Sequence, residues 1–195
     1  MQRQDAAEWL EFVPRLLRGS TVGVLGLGSI GQVVADRCAQ FGMRVLGLRR
    51  TPGNIAGVEQ VYTIEQVEEL LPQCDWLVSV LPHTSDTTDL LRMERLRLLK
   101  PGCVLINMGR GNLAPLDDLV AALEDGTLGG AALDVFPTEP LPPDHPLWHA
   151  PNVVVTPHIS GVNRPEDVTT IFSDNLLRYL SGEALQNVAD LRRGY

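Results

Sequence analysis

Glycines at a spacing suited to phosphate binding lie near the start of the sequence, in VGVLGLGSIG (22–31). Gly26 permits a tight turn, Gly28 lets the backbone approach a pyrophosphate, and Gly31 allows the next helix to pack closely on the strand. The run follows a β-type apolar stretch and opens a helical pattern, whose free N–H groups and dipole favour an anion. This context favours a dinucleotide site over a simple turn. The predicted site residues are Gly26, Leu27, Gly28, Ser29, Ile30 and Gly31.

Two arginines occupy the position that distinguishes NAD from NADP. An NAD site places a carboxylate about 20 residues after the glycines, at the end of the second strand, where it binds the ribose hydroxyls. Here the segment reads RVLGLRRT, so Arg49, Arg50 and Thr51 stand there instead. Guanidinium groups pair with a 2′-phosphate that a carboxylate would repel, although arginines are also common at solvated loop ends. We therefore expect NADP(H) to be preferred, with NAD(H) as the other cofactor that the site could accept.

Short apolar runs that alternate with helical patterns must position this loop. Strands are predicted at 21–25, 44–48, 76–81, 103–107, 129–135 and 152–156. Helices are predicted at 30–41, 64–71, 93–99 and 116–125. The strands are mostly continuous apolar runs, which is typical of strands covered on both faces. The alternation predicts an α/β fold with a doubly wound, parallel, Rossmann-type sheet.

Amphipathic helices are expected to flank this sheet at both ends of the chain. The first helical face contains Trp9, Phe12, Val13, Leu16 and Leu17, with Pro14 as a kink or a start. The second contains Val168, Ile171, Phe172, Leu176, Tyr179 and Leu180, with Asn163 as a cap, Pro165 in the first turn and Gly182 at the end. We expect both faces to pack on the sheet, with a subunit contact as the alternative for the first. The chain is thus interpreted as one dinucleotide-binding domain (1–195), with a leading helix (1–19), a Rossmann core (20–160) and a C-terminal helix and tail (161–195).

The composition of the chain indicates which partners it could bind and in which compartment it is expected. The formal net charge of −8 argues against a nucleic-acid binder, and no run approaches the ~18 apolar residues that a membrane span needs. The charged N-terminus lacks the apolar core of a signal peptide, so we expect a cytoplasmic protein. The three cysteines, Cys38, Cys74 and Cys103, lie far apart, which is typical of reduced thiols in a protein core. The histidines outside the motifs, His83, His145 and His149, show no metal-ligand spacing, so we expect no metal site.

Four further stretches carry a family resemblance. They are LPHTSDTTDLL (81–91), INMGRGNLAPLDDLVAALEDGTLGGAALDVFPTEPLP (106–142), HPLWHAPNV (145–153) and TPHISG (156–161). In this order and spacing, together with VGVLGLGSIG, they resemble the cofactor-binding domain of D-isomer-specific 2-hydroxyacid dehydrogenases over nearly the whole chain. The arginine pair and the terminal RRGY are most similar to the glyoxylate/hydroxypyruvate reductase branch. The resemblance implies an NAD(P)-dependent oxidoreductase and homodimer that reduces small 2-keto acids, such as glyoxylate or hydroxypyruvate, by hydride transfer.

The resemblance also assigns three catalytic roles. Arg110, in NMGRG, would hold the substrate carboxylate in a two-pronged contact and help polarise the ketone. His158, in TPHIS, would protonate the new alkoxide, a task that suits an imidazole near neutral pH. Glu139, in FPTEP, would orient that imidazole and favour its protonated form. All three residues follow predicted strands, at the edge where open α/β sheets bind ligands.

The same resemblance extends the cofactor site beyond the glycine loop. Asp134, in ALDVF, is similar to the family residue that contacts the nicotinamide carboxamide. Residues Leu81, Pro82 and Thr87 match the loop that runs along the dinucleotide. The remaining cofactor positions are Met108, Gly109 and, in a second role, His158.

The chain departs from the family upstream of the glycine loop. Family members build most of a substrate domain from residues before the cofactor domain, whereas here the loop already begins at Gly26. Compared with the family, we expect these 195 residues to lack a module of about 100 residues, a typical domain size, and we expect Arg110 and His158 to face solvent. We therefore expect strong nucleotide binding with weak or absent turnover by this chain alone. The alternative is a nucleotide-binding module that acts as a sensor or assembly partner, as in corepressor relatives of the family.

Overall fold

The computed structural model describes residues 14–161 and 164–190, and within them one sheet forms the centre of the fold. Its strands are β1 (Thr21–Leu25), β2 (Arg44–Leu48), β3 (Gln60–Tyr62), β4 (Trp76–Ser79), β5 (Val104–Asn107), β6 (Gly130–Leu133) and β7 (Val153–Val155). The α-helices are α1 (Ser29–Gln40), α2 (Val67–Leu70), α3 (Met93–Leu96), α4 (Leu116–Glu124) and α5 (Pro165–Leu180). Single 3₁₀ turns occur at Ile64–Gln66, Leu71–Gln73, Gly111–Leu113 and Pro146–His149.

The strand order is β3-β2-β1-β4-β5-β6-β7, and all neighbouring strands are parallel. The chain moves outward in one direction from β1 to β3 and then in the other from β4 to β7. The direction reverses between β1 and β4, where the loops that follow these strands diverge and leave a crevice at their carboxyl ends. The predicted doubly wound, Rossmann-type sheet is confirmed.

Apolar residues cover both faces of the central strands. On one face α1 packs over β1, β2 and β4, around Val24, Val45 and Val78. On the other face α2, α3 and α4 enclose a larger, leucine-rich cluster that contains Leu77 and Leu105. Each fully buried leucine contributes roughly 1.5–3 kcal/mol of transfer free energy, so the cluster accounts for much of the stability of the sheet.

Most predicted elements are confirmed, with limits that differ mainly at the strand ends. Strands 21–25 and 44–48 match β1 and β2 at both ends. The predicted helix at 64–71 is instead a succession of 3₁₀ and α turns, whose last turn contains Pro72. The short strand β3 was not predicted, because three residues are too few to show a periodic pattern.

The prediction of a leading helix is wrong over its described part. Residues 14–19 form no helix. Leu17 lies in a turn in which its carbonyl accepts the Ser20 hydroxyl at 2.6 Å, and Leu16 is 75% exposed. Arg15 instead reaches the sheet, where its guanidinium donates to the carbonyl of Gly102 at 2.7 Å. Proline at position 14 cannot donate a helical hydrogen bond, and the rest of the predicted face, Trp9, Phe12 and Val13, lies outside the described residues.

The C-terminal helix is confirmed as an element, but not in its packing. α5 begins after Arg164, which holds the N-cap position, while Asn163 lies outside the described residues. No side chain of α5 is buried, and Phe172 is 65% exposed. The expectation that its apolar face packs on the sheet is therefore wrong within the described residues, because the helix leaves the sheet after β7. None of the described helices combines the length and apolar character needed to cross a bilayer.

All three cysteines are free thiols, as expected. Cys74 and Cys103 are fully buried beside the first residues of β4 and β5, and this burial raises the pKa of each thiol to about 12. Cys38, on α1, is only half-buried. The two buried thiols therefore act as small apolar side chains of the core.

Candidate active site

A cleft of about 730 Å³ opens at the carboxyl ends of β1, β2 and β4. Its volume lies within the range of about 300–1,000 Å³ that is usual for ligand sites. Every predicted cofactor residue except Asp134 and His158 lines it, and Arg110 lines it as well. The predicted residues in the cleft are Gly26, Leu27, Gly28, Ser29, Ile30, Gly31, Arg49, Arg50, Thr51, Leu81, Pro82, Thr87, Met108 and Gly109. Lining residues that the sequence did not predict are Gln32, Leu48, Ile64, Glu65, Val80, Thr84 and Asp86.

The glycine loop joins β1 to α1 in a turn that requires glycine. Gly26 has a φ of +100°, a backbone conformation that other residues rarely adopt. Its N–H and that of Leu27 donate to the carbonyl of Leu48, which ties the loop to the end of β2. Gly28 occupies the N-cap position, where no side chain caps α1, and the first turn contains no acidic residue. The first N–H groups of α1 are therefore available to an anion in the cleft.

Two glycines of the loop serve different purposes. A Cβ at position 31 would overlap the carbonyl oxygen of Gly26, so α1 can approach the loop only with glycine at this point. A Cβ at position 28 would meet no atom within 4 Å. Packing thus explains Gly31 but does not explain Gly28, whose missing side chain leaves space on the side of the cleft.

Arg49, Arg50 and Thr51 follow β2 and are exposed at the rim of the cleft. The N–H of Arg49 donates to the carbonyl of Tyr62 at 2.9 Å, which fixes the end of β2 to β3. Ile64 and Glu65, directly after β3, complete this rim. Their approach depends on β3, so the sequence signal that could have found them is the short β-prone run QVYT.

The loop after β4 is held by its own threonines. The hydroxyl of Thr87, a residue only 7% exposed, donates to the carbonyl of Pro82 at 2.7 Å and accepts the N–H of Thr84 at 2.9 Å. The loop therefore forms a fixed wall of the cleft, with Thr84 beside the predicted residues.

Arg110 follows β5 in a turn closed by a buried asparagine. The side chain of Asn107, a residue 4% exposed, accepts the N–H of Gly109 at 3.1 Å and donates to the carbonyl of Arg110 at 3.0 Å. The guanidinium of Arg110 is exposed and donates to the carbonyl of Gly109 at 2.8 Å. Asn107 was not predicted as a site residue, although a buried amide at a strand end is itself a signal of this kind of turn.

Glu139 and His158 form a pair at the same edge of the sheet. One carboxylate oxygen of Glu139 lies 2.8 Å from Nδ1 of His158, and the other accepts the N–H of Phe136 at 2.9 Å. The hydrogen bond with His158 lowers the pKa of the Glu139 carboxyl most, and the hydrogen bond from Phe136 lowers it further. Nε2 of the imidazole makes no hydrogen bond to the described residues, and the side chain is 49% exposed. The arrangement presents an oriented imidazole nitrogen to solvent.

Asp134 holds the segment that carries this histidine. Its Oδ1 accepts the Thr156 hydroxyl and the N–H of Ile159, and its Oδ2 accepts the N–H of Ser160 at 2.9 Å. Burial alone would raise the pKa of this carboxyl, but hydrogen bonds from Ser160, Thr156 and Ile159 outweigh burial and lower the pKa. The carbonyl of Asp134 also accepts the N–H of His158 at 2.9 Å, and His158 has a φ of +53°. Asp134 therefore fixes a histidine backbone that is in the left-handed region.

The structure brings the three predicted catalytic residues to one edge of the sheet, after β5, β6 and β7. Arg110 and His158 are both exposed, as expected for this chain. Asp134 lies in a separate, smaller groove with Met108, Thr156 and Ser160, and not in the main cleft. The other histidines differ from this set: Nδ1 of His145 accepts the N–H of Leu147 at 3.1 Å and caps a 3₁₀ turn. Among the described residues no group of His, Cys, Asp and Glu could hold a metal ion.

Comparisons with known proteins identify relatives of this chain. Residues 1–160 match the model of the D-isomer specific 2-hydroxyacid dehydrogenase NAD binding domain. The sequence is 38% identical over 192 residues to glyoxylate/hydroxypyruvate reductase A of Serratia proteamaculans (strain 568), covering 98% of this chain and 61% of that protein.

Solved structures agree with this match. An NADPH-dependent glyoxylate/hydroxypyruvate reductase of Sinorhizobium meliloti, in complex with NADP and sulfate, has 33% identity and a TM-score of 0.94, over 100% of this chain and 63% of that one. A D-isomer specific 2-hydroxyacid dehydrogenase of Xanthobacter autotrophicus Py2, in complex with NADPH and MES, has 37% identity and a TM-score of 0.94, over 100% of this chain and 80% of that one. The chain thus spans about three fifths of the length of the reductases. None of these relatives supports the corepressor alternative.

The different space around Gly31 and Gly28 predicts different effects of alanine substitution on stability. Gly31→Ala should lower the free energy of unfolding by about 1–3 kcal/mol or more, because the new methyl group overlaps a backbone carbonyl that cannot move freely. Gly28→Ala, the matched control, meets no neighbouring atom and should change it by less than about 1 kcal/mol, the cost of alanine at an N-cap position. Urea denaturation of both variants measures the difference, and equal effects would contradict the packing account of Gly31.

Removal of the Asp134 charge should loosen the segment that carries His158. In Asp134→Asn we expect faster hydrogen exchange at Ile159 and Ser160 and a loss of about 1.5–3 kcal/mol of stability, because charged hydrogen bonds are lost. The lowered pKa means that this stabilisation is present above the unfolded pKa of about 3.9 and disappears as the pH falls through the folded pKa.

The difference in the free energy of unfolding between the wild-type chain and Asp134→Asn should therefore be constant near neutral pH and shrink below about pH 4. Urea denaturation at several pH values measures it. A difference that grew toward acid pH would have the wrong sign for a carboxylate held in its ionised form.

Proposed function

The chain belongs to the D-isomer specific 2-hydroxyacid dehydrogenase family, and we propose that it is the cofactor-binding half of an NADP(H)-preferring reductase of small 2-keto acids. The observation that carries this proposal is the Glu139–His158 pair, whose Nδ1 contact of 2.8 Å leaves Nε2 directed away from the carboxylate. Such a pair, at the sheet edge that also holds a dinucleotide cleft, is suited to proton transfer next to a bound nucleotide.

The residues of the cleft fit a dinucleotide. The uncapped first turn of α1 and the open side of Gly28 would hold the pyrophosphate, and Arg49 and Arg50 would pair with a 2′-phosphate. Oδ2 of Asp134 accepts the N–H of Ser160, and a carboxylate oxygen can accept more than one hydrogen bond, such as a further one from a carboxamide N–H. When bound, NADPH supplies the hydride for reduction of the ketone.

The remaining chemistry falls to three side chains of this chain. Arg110 would hold the substrate carboxylate through its guanidinium and favour negative charge on the ketone oxygen. His158 would donate the Nε2 proton to that oxygen as it becomes an alkoxide, and the reverse direction would return the proton to Nε2. Glu139, held ionised by its hydrogen bonds, would stabilise the positive charge of the imidazolium and keep Nδ1 as a donor.

The substrate class rests on the relatives, two of which are glyoxylate/hydroxypyruvate reductases by name. A short 2-keto acid needs only one cation for its carboxylate and one acid for its ketone oxygen, which Arg110 and His158 would provide. Because both side chains are exposed here, this chain alone should position a substrate poorly. The homodimer that the resemblance implies stays a prediction.

Cofactor preference can be tested at the arginine pair. The double substitution Arg49→Asp with Arg50→Ala should weaken NADPH binding about 10- to 100-fold, because charged hydrogen bonds to a 2′-phosphate are lost, and should leave NADH binding nearly unchanged. Arg97→Ala, an exposed arginine after α3, is the matched control. Fluorescence titration measures both affinities, and an unchanged NADPH affinity in the double variant would contradict the role of the arginines.

Catalysis can be tested by the consumption of NADPH in the presence of hydroxypyruvate or glyoxylate. We expect saturable NADPH binding by the chain and slow turnover that falls by about 100-fold or more in His158→Ala, the range for loss of a general acid. His149→Ala, which removes an exposed histidine elsewhere, should have no effect. Nucleotide binding without His158-dependent turnover would contradict catalysis by this chain, and absence of saturable binding would contradict the cofactor assignment.

A further inference from the structure

Glu65 brings a negative charge to the wall of a cleft whose other features suit anions. It follows β3, the edge strand beyond β2, and lines the cleft together with Ile64. The residue is exposed, so packing does not explain it. A carboxylate repels the phosphates of a nucleotide, and the proton transfer assigned to Glu139 and His158 gives Glu65 no task. Its presence in the cleft therefore requires another explanation.

A reciprocal pair of hydrogen bonds fixes the loop that carries Glu65. The N–H of Thr63 donates to Oε1 of Gln66 at 3.2 Å, and the Thr63 side chain accepts the N–H of Gln66. This capping box leaves the carboxylate of Glu65 outside it. The Thr63 hydroxyl and, second, the N–H of Glu65 itself lower the pKa of the Glu65 carboxyl. The loop therefore presents an ionised carboxylate, a group that only accepts hydrogen bonds.

The strand order places this carboxylate at the end of a row. The glycine loop follows β1, Arg49 and Arg50 follow β2, and Glu65 follows β3, and these strands are neighbours in the sheet. Neighbouring strands are about 4.8 Å apart, so β3 lies about 10 Å from β1. The adenylate half of a dinucleotide has the same succession of parts, from pyrophosphate to ribose to base. With the pyrophosphate after β1 and the 2′-phosphate after β2, the base comes to the end of β3.

The chemistry at this end of the cleft suits a base that carries an amino group. Ile64 is half-buried, packs against the core and offers apolar surface to the face of a ring. Arg49 and Arg50 donate hydrogen bonds and cannot accept one from an amino group. Glu65 supplies the acceptor that the 6-amino group of adenine requires. Asp86, a second carboxylate of the cleft, follows β4, which lies on the opposite side of β1 from β2.

We propose that Glu65 selects the base of the cofactor by accepting a hydrogen bond from the 6-amino group of adenine. The inference rests on the proposed function, because it requires that the cleft hold a dinucleotide. Recognition of the cofactor is thereby divided, since Arg49 and Arg50 read the 2′ position of the ribose and Glu65 reads the base. A base with a carbonyl oxygen at position 6, such as hypoxanthine, would place two acceptors against each other.

A purely structural role for Glu65 predicts a different result. An acid at the start of a helical segment is stabilising through the helix dipole, and Glu68 and Glu69 already occupy the first turn of α2. Loss of such a role would weaken the binding of all nucleotides alike. Selection of the base changes the ratio of two affinities, which a general loss of stability does not.

Fluorescence titration with NADPH and with its hypoxanthine analogue, deamino-NADPH, tests the proposal without turnover. The wild-type chain should bind NADPH about 10-fold more tightly than the analogue, because a charged hydrogen bond is lost with the amino group. In Glu65→Ala this preference should fall below about twofold. In Glu65→Gln, whose amide both donates and accepts, affinity for the analogue should rise about 10-fold, while affinity for NADPH changes by less than about threefold.

Glu69→Ala is the matched control, because it removes an exposed carboxylate of α2 that does not line the cleft, and it should leave the preference unchanged. NADPH binding with no preference over the analogue would overturn the proposal and leave the cofactor cleft itself supported. A preference that survives in Glu65→Ala, or that Asp86→Ala abolishes instead, would do the same. Absence of saturable binding of either nucleotide would overturn both this proposal and the proposed function.

Discussion

The parallel direction of every strand is the constraint on which the rest of this structure depends. Because all seven strands end at one edge, the loops after β1, β2, β4, β5, β6 and β7 share that edge although they are far apart in sequence. The reversal of strand order between β1 and β4 then opens a cleft at the edge without removing any core residue. The first N–H groups of α1, two arginines and an imidazole thus come to the same edge of the sheet through topology, and hydrogen bonds within and between the loops fix the loop geometry.

Two of the contacts that fix the loops are made by a buried amide and a buried carboxylate. Asn107 and Asp134 are both 4% exposed. Asn107, the last residue of β5, binds the loop that carries Arg110, and Asp134, directly after β6, binds the segment that follows β7. A buried polar group that lost its partner would be costly, so these hydrogen bonds fix the loop geometry strongly. Arg110 and His158 remain exposed on the loops so fixed. The buried residues that fix the loops are therefore different from the exposed residues that the loops present.

Features that depend on residues close together in sequence could be predicted from the sequence. Features that depend on contacts between distant segments could not. The glycine loop, Arg49 and Arg50 were predicted because their spacing is itself the signal, and the cleft contains them all. Glu65 was missed because its position depends on β3, which pairs with β2 across a long loop. The packing of α5 was predicted wrongly because an amphipathic pattern states that a helix has an apolar face, and not what covers that face. The hydrogen bonds that commit Asp134 to residues 156–160 were likewise invisible, since they join two strands.

The left-handed backbone at His158 limits what this position can become during evolution. Its φ of +53° favours glycine, asparagine, aspartate and, less strongly, histidine, and it disfavours β-branched residues. Most single-nucleotide neighbours of a histidine codon therefore meet a conformational penalty before their chemistry is tested. A lineage that lost the imidazole would most readily retain the turn by accepting asparagine or aspartate. An asparagine or aspartate at this position in a divergent homologue would be consistent with loss of the imidazole and retention of the left-handed turn.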